Sequence, residues 1–200
     1  LEEHPFPEGS RPPLMEKGPI NPTLQAELEA EPLEKLVADA ETHGDAVRGA
    51  AVFFSENVAC ATCHAVPYGY QLGPHLTDAR ADATAAHLVE SMLKPSAKIR
   101  EGYQSVTAIT ADGEVLSGFL LSQDDEKVVL SLPTDKGAKR VLPADEIAEL
   151  IPQEQSTMPA GLIGQLKDRQ AFLDLANFLF TINEGGKNEL RRLKGEAGVE

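Results

Sequence analysis

The hydrophobic positions of this chain change their spacing twice and divide it into helical and strand-rich segments. In the first half, apolar residues recur at roughly every third or fourth position, which predicts amphipathic helices that bury one face. The predicted helices are "TLQAELEAEPLEKLVADAE", broken at Pro32, "AVRGAAVFFS", capped by Asp45, and "TAAHLVESMLK", which ends before Pro95.

From Tyr103 onward the pattern becomes that of β-strands. Two β-branched, apolar runs flank Asp112-Gly113, a dipeptide that favours a tight hairpin turn. The runs "KVVLSL", "KRVL" and "IAELI" continue the pattern, so we predict a small antiparallel sheet or open barrel over residues 103–151. Helical spacing returns in "DRQAFLDLANFLFTI", and the charged tail from Gly185 is expected to be frayed.

The order of these segments predicts a mainly α domain that carries an inserted, small antiparallel β subdomain, an α+β arrangement in which the helices dominate. Prolines are frequent at the start of the chain, and because each fixes φ and lacks a donor, that part should be extended. The predicted parts are an extended arm or linker at 1–22, a helical extension at 23–43, the main domain at 44–184 with its β insertion at about 103–151, and a charged tail at 185–200.

Composition and charge exclude several classes of function. The net charge is −14 at pH 7, which argues against nucleic-acid binding because that depends on basic patches. It favours approach to a partner with a basic face. No stretch approaches the roughly 20 apolar residues of a membrane span, so no membrane insertion is expected.

The start of the chain predicts no signal peptide, because "LEEHPFPEGSRPP" has neither a basic nor an apolar region. A Leu in place of Met at position 1 is what a mature form, or a piece of a longer protein, would show.

The chemistry is concentrated in "CATCH", Cys60 to His64, which contains both cysteines of the chain. Cys-x-x-Cys-His is the attachment signature of c-type haem. Two thiols at this spacing can each reach a vinyl group, and the histidine then lies under the iron.

A redox dithiol would follow a strand, whereas here a helix precedes the motif. A zinc site would need His75 and His87, whose separation is not that of finger-type sites. A structural disulfide with a chance histidine is the third alternative, and we favour the haem anchor.

Two loops supply the residues expected around the iron. The Gly73-Pro74 turn follows the anchor and can present a backbone carbonyl to the second ring N–H of His64, as ligating histidines usually require. Met158, in the constrained loop "QSTMPAGL", is the sixth ligand that we favour. The other candidates are Met15, Met92, His4, His43, His75 and His87, or an open position.

These motifs together resemble the class I cytochromes c. In that family a helix with a glycine and an aromatic residue crosses the last helix, and "GAAVFF" and "LANFLF" match those two helices. A narrower resemblance, over roughly residues 44–181, is to the haem-binding domain of planctomycete and verrucomicrobial proteins, often fused behind dehydrogenase-like domains. It is carried by "GPHLTD", by "HLVESMLKPSAKIREGYQSVTAITADGEVLSGFLL" and by "STMPAGL". The chain departs from that pattern at His75, where the family usually has Asp, and in the loop "AVPYGYQ".

The resemblance implies a mainly α cytochrome c fold with the β insertion, and one covalently bound haem c. It implies Cys60 and Cys63 as thioether anchors, His64 and Met158 as iron ligands, and Pro74 as the support of His64. The expected function is single-electron transfer without catalysis, in a periplasmic or otherwise extracytoplasmic compartment. The expected partner is a redox protein or a fused dehydrogenase domain.

Two other functions stay open. One is a haem-based sensor or ligand binder whose sixth ligand is displaceable or absent, and the other is a peroxidase-like enzyme that uses His75 or His87 as its distal group. Arg100, Tyr103 and Ser96 are candidates for bonds to the haem propionates. The oligomeric state is not predicted.

Overall fold

The computed structural model describes residues 21–64, 72–77, 83–135 and 137–199. Most of the predicted extended arm at 1–22 lies outside these ranges, as does the loop "AVPYGYQ" at 65–71. Two of the candidate iron ligands, His4 and Met15, also lie outside the described residues.

Helices form both the start and the end of the described chain. They are α1 (Pro22–Ala30), α2 (Leu33–His43), α3 (Ala46–Phe53), α4 (Cys60–His64), α5 (Ala85–Leu93) and α6 (Arg169–Ala197). Helices α1, α3, α5 and α6 begin after a side chain whose oxygen accepts a hydrogen bond from the first turn, as helix caps do. These caps are Asn21, Asp45, Thr84 and Asp168. Within the described ranges, no helix is long and apolar enough to cross a membrane.

The strands form one five-stranded antiparallel sheet in the order β4-β3-β2-β1-β5. They are β1 (Ser105–Thr110), β2 (Val115–Gln123), β3 (Lys127–Leu132), β4 (Ala138–Pro143) and β5 (Ile147–Pro152). The predicted hairpin at Asp112-Gly113 is confirmed, because Ile109 stands opposite Val115 and Gly113 adopts the φ of 92° that this tight turn requires.

The predicted fold class, a mainly α cytochrome c fold with a small β insertion, is wrong. The structure is α+β, with a five-stranded antiparallel sheet and a long C-terminal helix. The physical reason is that apolar side chains alternate along the strands well enough to build a separate core. That core contains Val106, Ala108, Val128, Leu130 and Leu142, all nearly or fully buried. The sheet is therefore not an appendage of the helical core.

The predicted fraying from Gly185 is also wrong, because α6 continues to Ala197. The helix bends at Gly186, whose φ of 66° and ψ of −155° are not helical. Beyond the bend Leu193 is fully buried in the helical core, and Lys194 Nζ lies 4.8 Å from the centroid of the Phe54 ring. These contacts hold the charged segment as a helix.

Helices α3 and α6 cross at Gly49, where the two backbones nearly touch. A Cβ atom at Gly49 would lie 2.0 Å from the carbonyl oxygen of Asp174. The rings of Phe53 and Phe178 pack beside the crossing, with centroids 5.1 Å apart. Asp174 is only 4% exposed, and it accepts hydrogen bonds from Arg48 Nε at 2.7 Å and from the backbone N–H of Asp45 at 2.9 Å.

An ion-pair network joins α2 to the first turn of α6. Arg169 Nε donates to Glu31 Oε1 at 2.7 Å, and Arg169 Nη2 donates to Asp39 Oδ2 at 2.6 Å. Lys35 Nζ donates to the same two carboxylates, at 2.8 Å and 2.7 Å. Two cations thus share two anions, a network that resists separation better than isolated surface pairs do.

This network predicts a specific loss of stability in acid. The hydrogen bond from Arg169 lowers the pKa of Glu31 from 4.5 to about 2. A carboxylate whose pKa is lowered by folding stabilises the protein above its unfolded pKa, and this contribution disappears as the pH falls toward the folded pKa. We expect the free energy of unfolding to decrease between pH 4.5 and about 2, and Glu31→Gln to remove part of that decrease.

Urea unfolding at pH 6 and at pH 3 measures the effect. The matched control is Glu154→Gln, a change at an exposed residue after β5, which should keep the wild-type difference between the two pH values. Equal pH dependence in wild type and Glu31→Gln would contradict a stabilising role for the network.

Candidate functional site

A cavity of about 370 Å³ brings the anchor motif, the Gly-Pro turn and the methionine loop together. Its wall contains Cys60, Cys63, His64, Pro74 and Met158, the five residues that the sequence singles out. Most of the remaining wall is apolar, and its residues come from loops, from α5 and α6, and from Phe119 of β2. The volume is within the range of about 300–1,000 Å³ found for small-molecule and cofactor sites.

The turn at Gly73-Pro74 fixes the orientation of the His64 ring. His64 Nδ1 lies 2.9 Å from the carbonyl oxygen of Pro74, and since a carbonyl only accepts, Nδ1 carries the proton. A Cβ at Gly73 would lie 2.6 Å from His64 Cε1, so the backbone packs directly against the ring. Burial lowers the pKa of His64, against the effect of the bond to Pro74. A neutral ring protonated on Nδ1 leaves Nε2 as the nitrogen available to a metal.

Cys60 and Cys63 are both free thiols on the single turn of α4. Their spacing places them on the same side of the helix. Burial raises the pKa of Cys60 to about 12 and also raises the pKa of Cys63. An attacking cysteine of a dithiol oxidoreductase needs a lowered pKa, so the surroundings of these thiols argue against a redox dithiol.

The chain enters α4 through Ala59, whose φ of 52° is in the left-handed region. For a residue with a Cβ this conformation costs roughly 1–2 kcal/mol. Hydrogen bonds on both sides hold it, since Ala59 N–H donates to Ser55 O at 3.1 Å and Thr62 N–H donates to Ala59 O at 3.1 Å. The entry to the motif is therefore a fixed turn, and it sets the direction in which the Cys60 side chain leaves the backbone.

Met158 is half-buried in the loop between β5 and a short 3₁₀ helix at Leu162–Gln165. Its N–H donates to Ser156 Oγ at 3.1 Å, and the N–H of Ser156 donates to Ser96 Oγ at 3.0 Å. Ser96, a candidate propionate partner, thus accepts a hydrogen bond from the methionine loop. Gly161, with φ of 82°, turns the chain out of this loop.

The structure places some of the other candidate ligands at the cavity wall and one of them elsewhere. Met92, His75 and His87 line the same cavity. Met92 is only 5% exposed and packs with the helical core. His43 ends α2 and is not among the described residues of the cavity wall. The cavity thus offers both thioether and imidazole side chains besides His64.

Phe119 of β2 and Tyr103, which precedes β1, line the cavity with ring centroids 5.7 Å apart. The guanidinium carbon of Arg100 lies 5.8 Å from the centroid of the Tyr103 ring. Arg100 and Tyr103 line the cavity, as their proposed role toward haem propionates requires. Phe119 could not be singled out from the sequence, because the alternation pattern there indicates only a buried strand residue.

A second depression, of about 570 Å³, is wide open to solvent. Its lining includes the carboxylates of Glu41, Glu184 and Glu189 and contains none of the predicted site residues. We therefore take the smaller cavity as the site, because it encloses the motif residues within an apolar wall.

The residues of the smaller cavity fit a covalently attached haem. They include two thiols on one helix turn, an imidazole with a fixed tautomer, and a thioether on a constrained loop. Among the described residues, no three or more His, Cys, Asp or Glu side chains are grouped to hold a metal ion. A haem iron takes its equatorial ligands from the porphyrin, so His64 and one further donor suffice.

No protein-family model matches the chain, and no curated protein matches it. The function is therefore inferred from the residues of the cavity.

Proposed function

We propose that this protein carries one covalently bound haem c and transfers single electrons. The observation that carries the proposal is the shared cavity wall of Cys60, Cys63, His64 and Met158, with His64 Nδ1 bonded to the carbonyl of Pro74. In this proposal the two cysteines hold the haem through thioether bonds. His64 and Met158 are the axial ligands of its iron.

When bound, the haem would supply a one-electron ferrous–ferric couple. The chain's own part is to hold, orient and shield that group. The Pro74 carbonyl fixes the tautomer of His64 and increases the basicity of Nε2. The apolar wall excludes water, which together with the His–Met ligand pair favours a higher reduction potential than two histidines would give. With His64 and Met158 both holding the iron, a bound haem would have no site left for a substrate to bind its metal, so we propose an electron carrier and not an enzyme.

The proposed partner is a redox protein, or a dehydrogenase domain fused to this chain, outside the cytoplasm. Haem attachment through this motif takes place in extracytoplasmic compartments, which is the basis of that location. The net charge of −14 favours a partner with a basic face. Electron-transfer encounters bury little surface, so we expect a transient complex.

One observation favours a second candidate, a peroxidase-like enzyme. His75 and His87 both line the cavity, where such an enzyme needs an acid–base group near its iron. That function would also require Met158 to leave an axial position open. The state of the sixth position therefore separates the two candidates.

Covalent attachment is tested by mass spectrometry. We expect the chain, matured in a periplasm that attaches haem c, to gain the mass of one haem and to keep it through extraction with acidified acetone. A double variant, Cys60→Ser with Cys63→Ser, should lose the haem on extraction, whereas the control Thr62→Ser within the same motif should keep it. Wild-type chain that emerges without haem would refute the proposal.

Absorption spectra test the ligands and the function together. The ferric protein should be low-spin with the thioether-to-iron charge-transfer band, and the ferrous protein should not change on addition of carbon monoxide. A redox titration of the wild-type protein should be reversible and should fit a one-electron couple. A high-spin ferric spectrum, or turnover of hydrogen peroxide by the wild type, would overturn the electron-carrier proposal in favour of an open sixth position.

A further inference from the structure

We propose that Ser96 and Ser156 form a hydrogen-bond relay that holds the backbone of Met158 in its ligating position. The inference rests on the proposed function, because it concerns the residue assigned as the sixth ligand. Both serines are positioning residues, since neither is required to touch the iron.

The relay consists of two hydrogen bonds in series. Ser96 Oγ accepts from the backbone N–H of Ser156 at 3.0 Å, and Ser156 Oγ accepts from the backbone N–H of Met158 at 3.1 Å. The first bond joins residues that are 60 positions apart in sequence. The position of Met158 in space is therefore linked to a segment that precedes the sheet.

The first serine is attached to a rigid support. Ser96 follows α5, which is fixed in the helical core by Val89, Met92 and Leu93. The N–H of Lys94 donates to Glu90 O at 2.7 Å and ends that helix. Ala97 N–H then donates to Lys94 O at 2.9 Å and closes a turn around Ser96. A ligand residue is held best when its supports lie on such packed elements.

The sheet holds the other side of the methionine loop. Gln153 N–H donates to Ser105 O at 2.9 Å and continues the pairing of β5 with β1. After Gln153 the chain leaves the sheet. The loop is then anchored by the hydrogen bond from Ser156 N–H to Ser96 Oγ. The relay thus divides the loop between the sheet and Met158 into two short spans. Without it, we expect Met158 to leave the iron more often.

The consequence can be measured as competition by an external ligand. Imidazole binds ferric iron only while Met158 is away, so its apparent affinity reports the population of that open state. Loss of one hydrogen bond of ordinary net strength should increase this affinity about two- to tenfold. Because the two bonds act in series, the double variant should gain less than the product of the single effects.

The experiment titrates imidazole into the ferric, haem-loaded chain. Ser96→Ala and Ser156→Ala should bind imidazole more tightly and show a weaker charge-transfer band. Ser96→Thr and Ser156→Thr keep the hydroxyl and should restore wild-type values. Ser122→Ala, at an exposed position of β2, is the matched control and should change neither readout. Thermal unfolding of the Ser96 variants should stay close to wild type, because Ser96 is exposed.

The outcomes separate this inference from the function on which it rests. A wild-type protein without the charge-transfer band overturns both. A wild-type protein with the band, together with alanine variants that bind imidazole as weakly as Ser122→Ala, overturns the relay alone. Should Ser156→Ala unfold, Ser96→Ala and its threonine counterpart still decide the question, since they alter only the first bond.

Discussion

Replacement of Met158 by leucine is expected to abolish the thioether-to-iron charge-transfer band and to open the iron to external ligands. Leucine keeps the volume of the side chain, so the fold should lose less than about 1.5 kcal/mol. In the wild type the open state is a minor one, typically about 0.1–10% populated. Removing the competing thioether should therefore increase the apparent affinity for imidazole about 10- to 1,000-fold. The reduction potential should change as well, because axial ligand identity is one of its main determinants.

The cavity itself provides the matched control for this substitution. Met92 also lines it, on the buried face of α5. Met92→Leu makes the same chemical change at a residue assigned to core packing, and it should keep the band and the weak imidazole binding. If Met92→Leu lost the band while Met158→Leu kept it, the sixth ligand would be Met92. If neither lost it, the thioether would have to come from Met15, the remaining methionine, whereas a histidine ligand such as His87 would leave the wild type itself without the band.

The motif residues of the site could be read from sequence because their chemistry is local. Cys60, Cys63 and His64 form one short pattern whose spacing alone suggests haem attachment. Met158 could be singled out because a methionine in a proline- and glycine-constrained loop is unusual for core packing. The structure brings these residues into one cavity, although their sequence separation gives no information on whether they meet.

The contacts that support the site could not be read in this way. The bond between Ser96 and Ser156 joins two loops 60 residues apart, and neither loop shows a periodicity that indicates its neighbour. Phe119 reaches the cavity because of the register of β2 against β1. That register depends on the pairing of whole strands, which a local pattern does not determine.

The fold was predicted in its parts and misjudged as a whole. Alternating apolar residues correctly indicated the strands and the hairpin at Asp112-Gly113. The size of the sheet and its separate core were underestimated. A local pattern shows which face of a strand is buried, but not that five strands together bury it in a core of their own. The tail was misjudged because Gly185-Gly186 has the appearance of a helix end, whereas the burial of Leu193 sustains a helix beyond it.

Replacement of Gly49 by alanine is expected to be the most destabilising small change in the helical core. The new Cβ would lie 2.0 Å from Asp174 O and 2.6 Å from Phe178 Cβ, so α3 and α6 must separate. Overpacking of this kind costs about 3 kcal/mol, near the upper end of the usual range, because backbone and not a flexible side chain is in the way. Separation also lengthens the hydrogen bonds that Asp174 accepts from Arg48 and Asp45. The melting temperature should fall by about 6–12 °C.

A control substitution in α6, together with the positions at which hydrogen exchange accelerates, tests the effect of Gly49→Ala. Gly195→Ala adds the same methyl group to α6 where nothing lies within 4 Å, and it should stabilise the chain by up to about 1 kcal/mol. The cores of the helices and of the sheet share no residue. Hydrogen exchange in Gly49→Ala should therefore accelerate at the amides of α3 and α6 and stay unchanged in β1 and β3. Equal acceleration in the sheet would mean that the two cores unfold as one unit, and that the cavity between Met158 and His64 depends on both.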